Sequence, residues 1–407
     1  MKRAILILGD IFCFYFSLFF GLFLRHFKVD FNLFYSHLFP FSVLLFFFLL
    51  IFYIFDLYQF FPQKEFLSKA FLPFLICFFI SLFLFYFFYP IFKISPKTNL
   101  FLFFSIFISL LFFWRKIFYF IFSKAFLKKV FFAGNNKEIQ QLKFFLQENP
   151  ALGFQICEID ENPEIIVFDK KSFPWKDYLK KDVLLFTLDE FYEKIFKKIP
   201  VNLISEEWFL KVKKKNLEDK LKRIFDFVLS LVLIILFFPF WILIPLLIFF
   251  EDGRPIFYLQ DRVGKDNKVF KLIKFRSMRK DAEEKGPQWA KLKDERVTKV
   301  GKILRKLHLD EIPQLFNVLK GEISLVGPRA ERPEFVQILN EKIPYYELRH
   351  IIKPGITGWA QINFGYARSV EDSLTKFEYD LYYIKNRSLF LDFKIILKTL
   401  GIWFKQF

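Results

Sequence analysis

The sequence predicts a membrane α-helical bundle plus α/β. Four transmembrane helices are expected over residues 1–124, a small α/β domain over 125–210, and a greasy but soluble C-terminal domain over 211–407. Three observations carry this. Hydrophobic residues make up 54% of the 407-residue chain and are massed in long runs. The formal net charge is nonetheless +18, and the lysines cluster beside those runs, as in a membrane protein with basic surfaces at the lipid headgroups. Between and after the runs, the apolar pattern shortens to the periods of ordinary strands and helices. Nucleic-acid binding also favours basic chains, but this siting of the lysines argues against it, and no nucleic-acid partner is expected.

The first four apolar segments are Ile5–Leu24, Leu38–Phe55, Phe71–Tyr89 and Leu100–Ile121. Each is close to the roughly 20 residues a helix needs to cross about 30 Å of hydrocarbon. The N-terminus has the basic start and apolar run of a signal peptide. The run is long and no small-residue cleavage site follows, so it reads as a retained span. Arg115, Lys116, Lys124, Lys128 and Lys129 gather at the end of the fourth segment. With Lys2 and Arg3, they place those ends in the cytoplasm. Asp10 lies within the first span, where it is either a functional intramembrane acid or close enough to the end to reach the interface. Cys13, Cys77 and Cys157 are too few and scattered for a disulfide framework.

In the second domain, VFFAGNN reads as strand and turn, KEIQQLKFFLQENP as an amphipathic helix, and FQICEID, EIIVFD and VLLFTL as buried strands. That order suggests a small parallel sheet. Its first turn offers only Gly134, without the glycine pattern that lets a backbone approach a dinucleotide phosphate, so a structural or regulatory module is expected.

The third domain begins with a lysine-rich approach to an apolar run, Ile224–Phe250, interrupted by Pro239 and Pro245. Proline removes a backbone donor and clashes with the preceding turn, which predicts a kink near Phe238–Pro239. A full crossing would carry the basic remainder outside. Re-entry at about 221–250 keeps the basic residues on one face and is favoured over a kinked span. The last segment, LFLDFKIILKTLGIWFKQF, sets Lys394, Lys398 and Lys405 on one helical stripe. It suits either an interfacial helix or one packed on the domain core. Tyr379, Tyr382 and Tyr383 are expected in an aromatic belt at headgroup level.

The chemistry-bearing stretch is LRKLHLDEIPQLFNVLKGEISLVGPRA, Leu304–Ala330. Leu307, Ile312, Leu315, Phe316 and Leu319 repeat near helical spacing, which puts Asp310 and Glu311 on or beside a helix. Adjacent helical residues differ by about 100°, which opposes a proton-sharing carboxylate dyad. It allows one acid to be a nucleophile and the other to hold a metal or orient a group. Acyl-phosphate chemistry at an aspartate is reasonable where cations neutralise the phosphate. The candidate phosphate-binding cations are Arg305, Arg329, Lys274 and Arg276. In PGITGWAQIN, residues 354–363, Thr357, Trp359, Gln361 and Asn363 either contact a nucleotide or sugar, or simply make turns and packing. His308 is expected to be structural and not a general base.

Taken together, GRPIFYLQDRVGKDNKVFKLIKFRSM, RKLHLDEIPQLFNVLKGEISLVGPRAERPEF and KPGITGWAQINFGYARSVEDSLTKFEYDLYYIKNRSLFLDFKIIL resemble the bacterial sugar transferase family over about Lys220 to Phe404. The family's large members carry a four-helix bundle and a degenerate Rossmann-like domain, which residues 1–124 and 125–210 resemble in architecture. The resemblance implies a mostly α phosphoglycosyl transferase domain on the cytoplasmic face of a bacterial inner membrane. It implies transfer of a sugar-1-phosphate from a UDP-sugar to undecaprenyl or another polyprenyl phosphate, with release of UMP, opening exopolysaccharide, capsule or O-antigen assembly. Asp310 matches the nucleophile that forms an aspartyl-phosphosugar, Glu311 its partner acid, and the pair is associated with Mg²⁺. Arg305 and Arg329 match the RxxxxDE and GPR motifs, and Pro239 the proline that breaks the re-entrant helix. The chain departs from the family's frequent patterns at Ala330, at Phe238 and at Phe364-Gly365-Tyr366. Two other functions stay open: a UDP-releasing glycosyltransferase, and a non-enzymatic membrane scaffold for polysaccharide assembly. Formation of a homodimer is open too.

Overall fold

The computed structural model describes residues 2–28, 31–55, 57–58, 63–92, 97–124, 127–169, 183–204, 208, 212, 216–282, 294–365 and 369–405. The chain divides into two units, Met1–Leu188 and Asp189–Phe407.

In the first unit, helices Lys2–His26, Phe31–Ile54, Gln63–Phe87 and Lys97–Lys124 each contain a stretch long and apolar enough to cross a membrane. Their core is aromatic. Phe14 is buried and meets Phe41, Phe48, Phe103 and Phe107 edge-on, the arrangement that ring quadrupoles favour. Leu8, Phe12, Phe16 and Phe20, four residues apart on the first helix, face outward. The first and last of these helices run antiparallel in close contact. A methyl group on Gly9 would lie 2.0 Å from the Trp114 ring, and one on Gly21 3.7 Å from the Phe103 backbone. Small residues permit this approach where burial of apolar surface gives no advantage over lipid.

That contact also accounts for Asp10. Arg115 donates to Asp10 at 2.6 Å and to the Leu57 carbonyl at 2.7 Å, and its guanidinium stacks 5.3 Å from the Tyr58 ring centre. Both charged side chains are 2% exposed. Asp10 therefore does not reach the interface. Arg115, counted from the sequence among the surface cations, is spent on neutralising it. The side chain of Lys124, from the same cluster, lies outside the described residues.

The rest of this unit is a parallel sheet of β1 (Lys128–Ala133), β2 (Phe154–Ile156), β3 (Ile165–Phe168) and β4 (Leu184–Thr187), in the order β2-β1-β3-β4. Helix Lys137–Glu148 joins β1 to β2, capped by Asn136, whose side chain accepts from the Ile139 amide at 2.9 Å. It buries Ile139, Leu142 and Leu146. Strand β3 is buried at every position, as befits a central parallel strand covered on both faces.

The second unit is mostly helical. Helices Asn216–Leu236 and Phe238–Asp252 meet at 62°. Pro239 stands in the first turn of the second helix, where a missing N–H leaves no bond unmade, so the kink falls where the sequence placed it. Each arm has two faces. Leu221, Ile224, Val228 and Ile235 point outward on the first, and Ile242, Leu246 and Phe250 on the second. Leu229, Leu233, Trp241, Ile244 and Ile248 pack on the domain core.

The core also takes an antiparallel hairpin, β5 (Phe257–Val263) and β6 (Val269–Phe275), and a short parallel pair, β7 (Ser324–Val326) and β8 (Gly355–Thr357). The tyrosines do not form a headgroup belt. Tyr383 is buried and donates to the Val326 carbonyl and to Asp392, and Tyr382 stacks on Trp359 at 5.4 Å. The terminal helix Leu389–Lys405 packs on the core through Asp392 and Ile395, with Phe390 and Phe393 exposed. Its lysine stripe faces inward, Lys394 and Lys398 lying 5.7 and 6.0 Å from the Trp359 ring centre. The Lys405 side chain is outside the described residues. Ile199, Val201 and Trp208 also pack in this unit, against Leu339, Tyr346 and Phe377.

Candidate active site

Asp310 and Glu311 sit where a helix stops and restarts. Helix Lys299–Lys306 is N-capped by Thr298, which accepts from the Gly301 amide at 2.9 Å. At His308 the chain turns into the left-handed region (φ 53°), passes through a single 3₁₀ turn, Leu309–Glu311, and resumes as helix Gln314–Lys320. Pro313 just before the new helix favours that restart. The amphipathic spacing is thus shared by two short helices, and the acids occupy the joint between them.

The two acids are treated differently by their surroundings. Glu311 accepts from Lys274 of β6 at 2.8 Å and from Arg329 at 2.7 Å, both on the same oxygen, Oε1. Burial pushes its carboxyl up, but the Arg329 and Lys274 charges outweigh burial and hold it well below the usual range. Asp310 is only 8% exposed and makes no hydrogen bond or ion pair among the described residues. Burial raises its pKa to about 6, opposed by the charges of Lys274, Arg305 and Arg329 and reinforced by that of Glu311. One acid is locked in an ion-pair cluster. The other is a buried carboxylate among cations that accepts no hydrogen bond from the described residues, an arrangement compatible with a nucleophile.

Arg329 is itself positioned from behind. Its loop follows β7, and its carbonyl accepts from Arg349 at 2.9 Å. Arg349 is fully engaged, donating also to Asp380 at 3.0 Å and to the Tyr346 hydroxyl. Arg262 donates to the Ala330 carbonyl at 2.9 Å. The loop is also locked to β8 by backbone contact. Gly327 donates to Thr357 O and Gly355 to Pro328 O, at 2.9 and 2.8 Å. A methyl group on Gly355 would lie 2.1 Å from the Gly327 nitrogen, and one on Gly358 2.2 Å from the Gly327 carbonyl. These glycines allow two backbones to cross. Gly355→Ala should therefore destabilise the domain by at least about 1–3 kcal/mol, the usual cost of overpacking, visible as a lower midpoint in thermal unfolding.

A cavity of about 420 Å³ opens beside the acids. Glu311, Arg329, His308 and Lys376 line its polar end. Leu229, Leu233 and Phe237 of the bent helix, with Ile396, Leu400 and Ile402 of the terminal helix, make a long apolar wall. Burial lowers the pKa of His308, which favours the neutral ring near pH 7.

The structure brings together Asp310, Glu311, Arg305, Arg329 and Lys274. Arg276 is elsewhere: it donates to the carbonyls of Asp252 and Gly253 at 3.0 and 2.8 Å and pairs with the Asp252 carboxylate at 3.1 Å. It closes the C-terminus of the second arm and makes no bond to either acid. Thr357 and Gln361 line the cavity. Thr357 shares a 2.7 Å hydrogen bond with Thr399, and Gln361 donates to the Ile356 carbonyl while its own oxygen is buried and unbonded. Trp359 is packed, donating to the Lys197 carbonyl at 2.8 Å, and Asn363 is turned back onto the Trp359 carbonyl at 2.8 Å. Neither lines the cavity. Lys376 and the Arg349–Asp380 support were missed from the sequence because they lie 38 or more residues beyond Glu311. An aspartate amid the apolar and aromatic residues of helix Val370–Asn386 was the available signal.

For Mg²⁺, the donor set was tested by its chemistry. Among the described residues no group of three or more His, Cys, Asp or Glu side chains could hold a metal. Mg²⁺ is ordinarily held by one or two carboxylates together with substrate phosphates and water. The unbonded Asp310 carboxylate and the second oxygen of Glu311 meet that modest requirement.

Comparison with known proteins bears on the same region. The family described as bacterial sugar transferase matches residues 217–406. Over 180 residues the chain is 49% identical to a UDP-N-acetylgalactosamine-undecaprenyl-phosphate N-acetylgalactosaminephosphotransferase of Aeromonas hydrophila, covering 44% of this chain and 43% of that one. It is 41% identical over 181 residues to the UDP-glucose:undecaprenyl-phosphate glucose-1-phosphate transferase of Escherichia coli, covering 44% and 39%. An uncharacterized sugar transferase of Bacillus subtilis, EpsL, is 43% identical over 180 residues, which are 44% of this chain and 85% of that one. The match thus spans less than half the length of the first two relatives and most of the third.

Proposed function

This chain belongs to the bacterial sugar transferase family, and we propose that it transfers a sugar-1-phosphate from a UDP-sugar to polyprenyl phosphate with release of UMP. The observation that carries the proposal is the buried Asp310, which accepts no hydrogen bond from the described residues, next to Glu311, whose ion pair with Arg329 lines an apolar cavity. The names of relatives at 41–49% identity, which specify undecaprenyl-phosphate sugar phosphotransferases, support it.

In this mechanism an Asp310 oxygen attacks the sugar-linked phosphorus. The bond from that phosphorus to the bridging oxygen breaks, and UMP leaves with that oxygen and the electron pair. The acceptor's phosphate oxygen then attacks the same phosphorus, forming the lipid diphosphosugar and returning Asp310 as a carboxylate. Arg305, Arg329 and Lys274 screen the charge of the approaching anions. Glu311 holds two of those cations in place. Asp310 and Glu311 are the residues that would hold Mg²⁺, which when bound supplies charge neutralisation on phosphate oxygens. The apolar wall offers the first isoprene units of the acceptor a dry surface.

The bent helix pair acts as a re-entrant membrane anchor, and the bundle sits in the inner membrane, with the catalytic domain on the cytoplasmic face. Support comes from its two tied ends. Arg223 caps the Val318 and Leu319 carbonyls and Asp226 accepts from Ser324 at 2.7 Å near one end, while Arg276 closes the other. Both ends belong to the same domain, which favours return to one face. The β2-β1-β3-β4 sheet is a degenerate Rossmann-like module without a nucleotide role.

The test is a product assay with purified protein, Mg²⁺, polyprenyl phosphate and a panel of UDP-sugars, resolving UMP from UDP. UMP with a lipid diphosphosugar is expected. UDP with a lipid monophosphosugar would make the chain a glycosyltransferase, and no turnover by folded protein would favour the scaffold.

A further inference from the structure

A second, smaller pocket lies on the far side of β7 from the acids. Strand neighbours face opposite ways: Leu325 lines the large cavity, whereas Ser324 and Val326 line this one. Its volume is about 100 Å³, room for several water-sized groups at about 10–15 Å³ each. Five cations surround it: Lys222, Arg223, Lys265, Lys353 and Arg387. Two acids, Asp219 and Asp226, share the lining, and both are already engaged. Asp219 pairs with Arg387 at 3.4 Å. Asp226 accepts from Ser324 at 2.7 Å and faces Lys222 at 3.8 Å, and Lys222 is itself paired with Asp392 at 2.7 Å. Arg223, Lys265 and Lys353 have no carboxylate partner among the described residues.

These unpaired charges are close together. A methyl group on Gly321 would lie 3.2 Å from Arg223 Nη2 and 3.4 Å from Lys353 Nζ, so the two cations flank one point. Burial, and then the charge of Arg223, lowers the Lys353 pKa; the Asp226 charge opposes this, and Lys265 and Lys222 add to the lowering. The C-terminus of helix Gln314–Lys320 offsets part of the repulsion, since Arg223 donates to its last carbonyls. Lys265, on the β5–β6 turn, has no such role.

We propose that this pocket is an anion site for a phosphate group, and that its occupant is the headgroup of an anionic phospholipid. Charge-assisted hydrogen bonds from lysine and arginine suit phosphate oxygens. The lipid source follows from position. Lys222 and Arg223 belong to the first turns of the bent helix, whose other side exposes Leu217, Leu221 and Ile224, so a phosphate here sits where that helix leaves its apolar surroundings. The lipid assignment rests on the membrane-anchored reading of that helix, while capture of an anion does not.

Native mass spectrometry of the full-length protein in detergent tests this with phosphatidylglycerol, phosphatidylcholine and inorganic phosphate as probes. The native chain should retain phosphatidylglycerol over phosphatidylcholine by roughly thirtyfold, about what two cations at an anionic lipid provide. K265Q/K353Q should abolish that preference, and K265R/K353R should keep it. Phosphate adducts that displace phosphatidylglycerol and vanish in K265Q/K353Q would support the same site. Phosphate adducts without any lipid preference would retain the anion site and overturn the lipid source. An unchanged lipid preference in K265Q/K353Q, or no anion retained at all, would overturn the site. The readout is mass and not turnover, so failure of this site and failure of phosphosugar transfer are separable.

Discussion

Asp310→Asn should leave a folded protein that releases no UMP, with turnover reduced by at least about 10³-fold, as when a nucleophile is lost. The amide keeps the size of the side chain and removes its charge. Asp310 makes no hydrogen bond or ion pair among the described residues, so the amide breaks none of those contacts. Burial has in fact raised its pKa to about 6. A carboxyl with a higher pKa in the folded than in the unfolded state destabilises the fold once pH exceeds both values. The variant should therefore match or exceed the native unfolding midpoint at neutral pH. Glu311→Gln should behave differently. It leaves Lys274 and Arg329 facing a neutral group in a buried setting, so stability and turnover should fall together. Thermal unfolding beside UMP release separates the two acids by role.

The largest effect on stability is expected inside the bundle. Arg115→Leu strands the Asp10 carboxylate in an aromatic core where its partner lay 2.6 Å away. Breaking a buried pair from one side typically costs about 3–5 kcal/mol, whereas replacing both members by apolar groups is often neutral or stabilising. The double variant Asp10→Leu/Arg115→Leu should thus be more stable than Arg115→Leu alone, by a few kcal/mol at most. Unfolding of the native protein, Asp10→Leu, Arg115→Leu and the double variant in detergent measures the coupling. Equal losses in the single and double variants would show that the pair is not what holds these helix ends together.

Much of this architecture was legible in the sequence because its signals are local. Apolar runs of span length, a proline in mid-run and the strand–helix–strand order each depend on neighbouring residues alone. The clustering of Asp310, Glu311, Arg305 and Arg329 was legible through motif order. What the sequence hid were partnerships between distant residues. Arg115 looked like a headgroup cation because Asp10 lies 105 positions away. Arg276 looked like a phosphate ligand because it lies two residues after Lys274, yet it falls just beyond β6 and turns to the Asp252 and Gly253 carbonyls, and only Lys274 meets Glu311. The glycines of PGITGW looked like turn residues, and are instead where β8 crosses the GPR loop. The tyrosines looked interfacial, and the lysine stripe of the last helix fitted either an interface or the core, because Trp359 and Asp392, which they meet, lie elsewhere in the sequence.

The central claim is that Asp310 carries the phosphosugar. Its most direct test is to quench the enzyme with a UDP-sugar in the absence of lipid acceptor and map the adduct by peptide mass spectrometry. A sugar-phosphate mass on Asp310, matched by UMP release and lost on adding polyprenyl phosphate, is the predicted result. Turnover to lipid diphosphosugar with no adduct, or with the adduct on another residue, would contradict it.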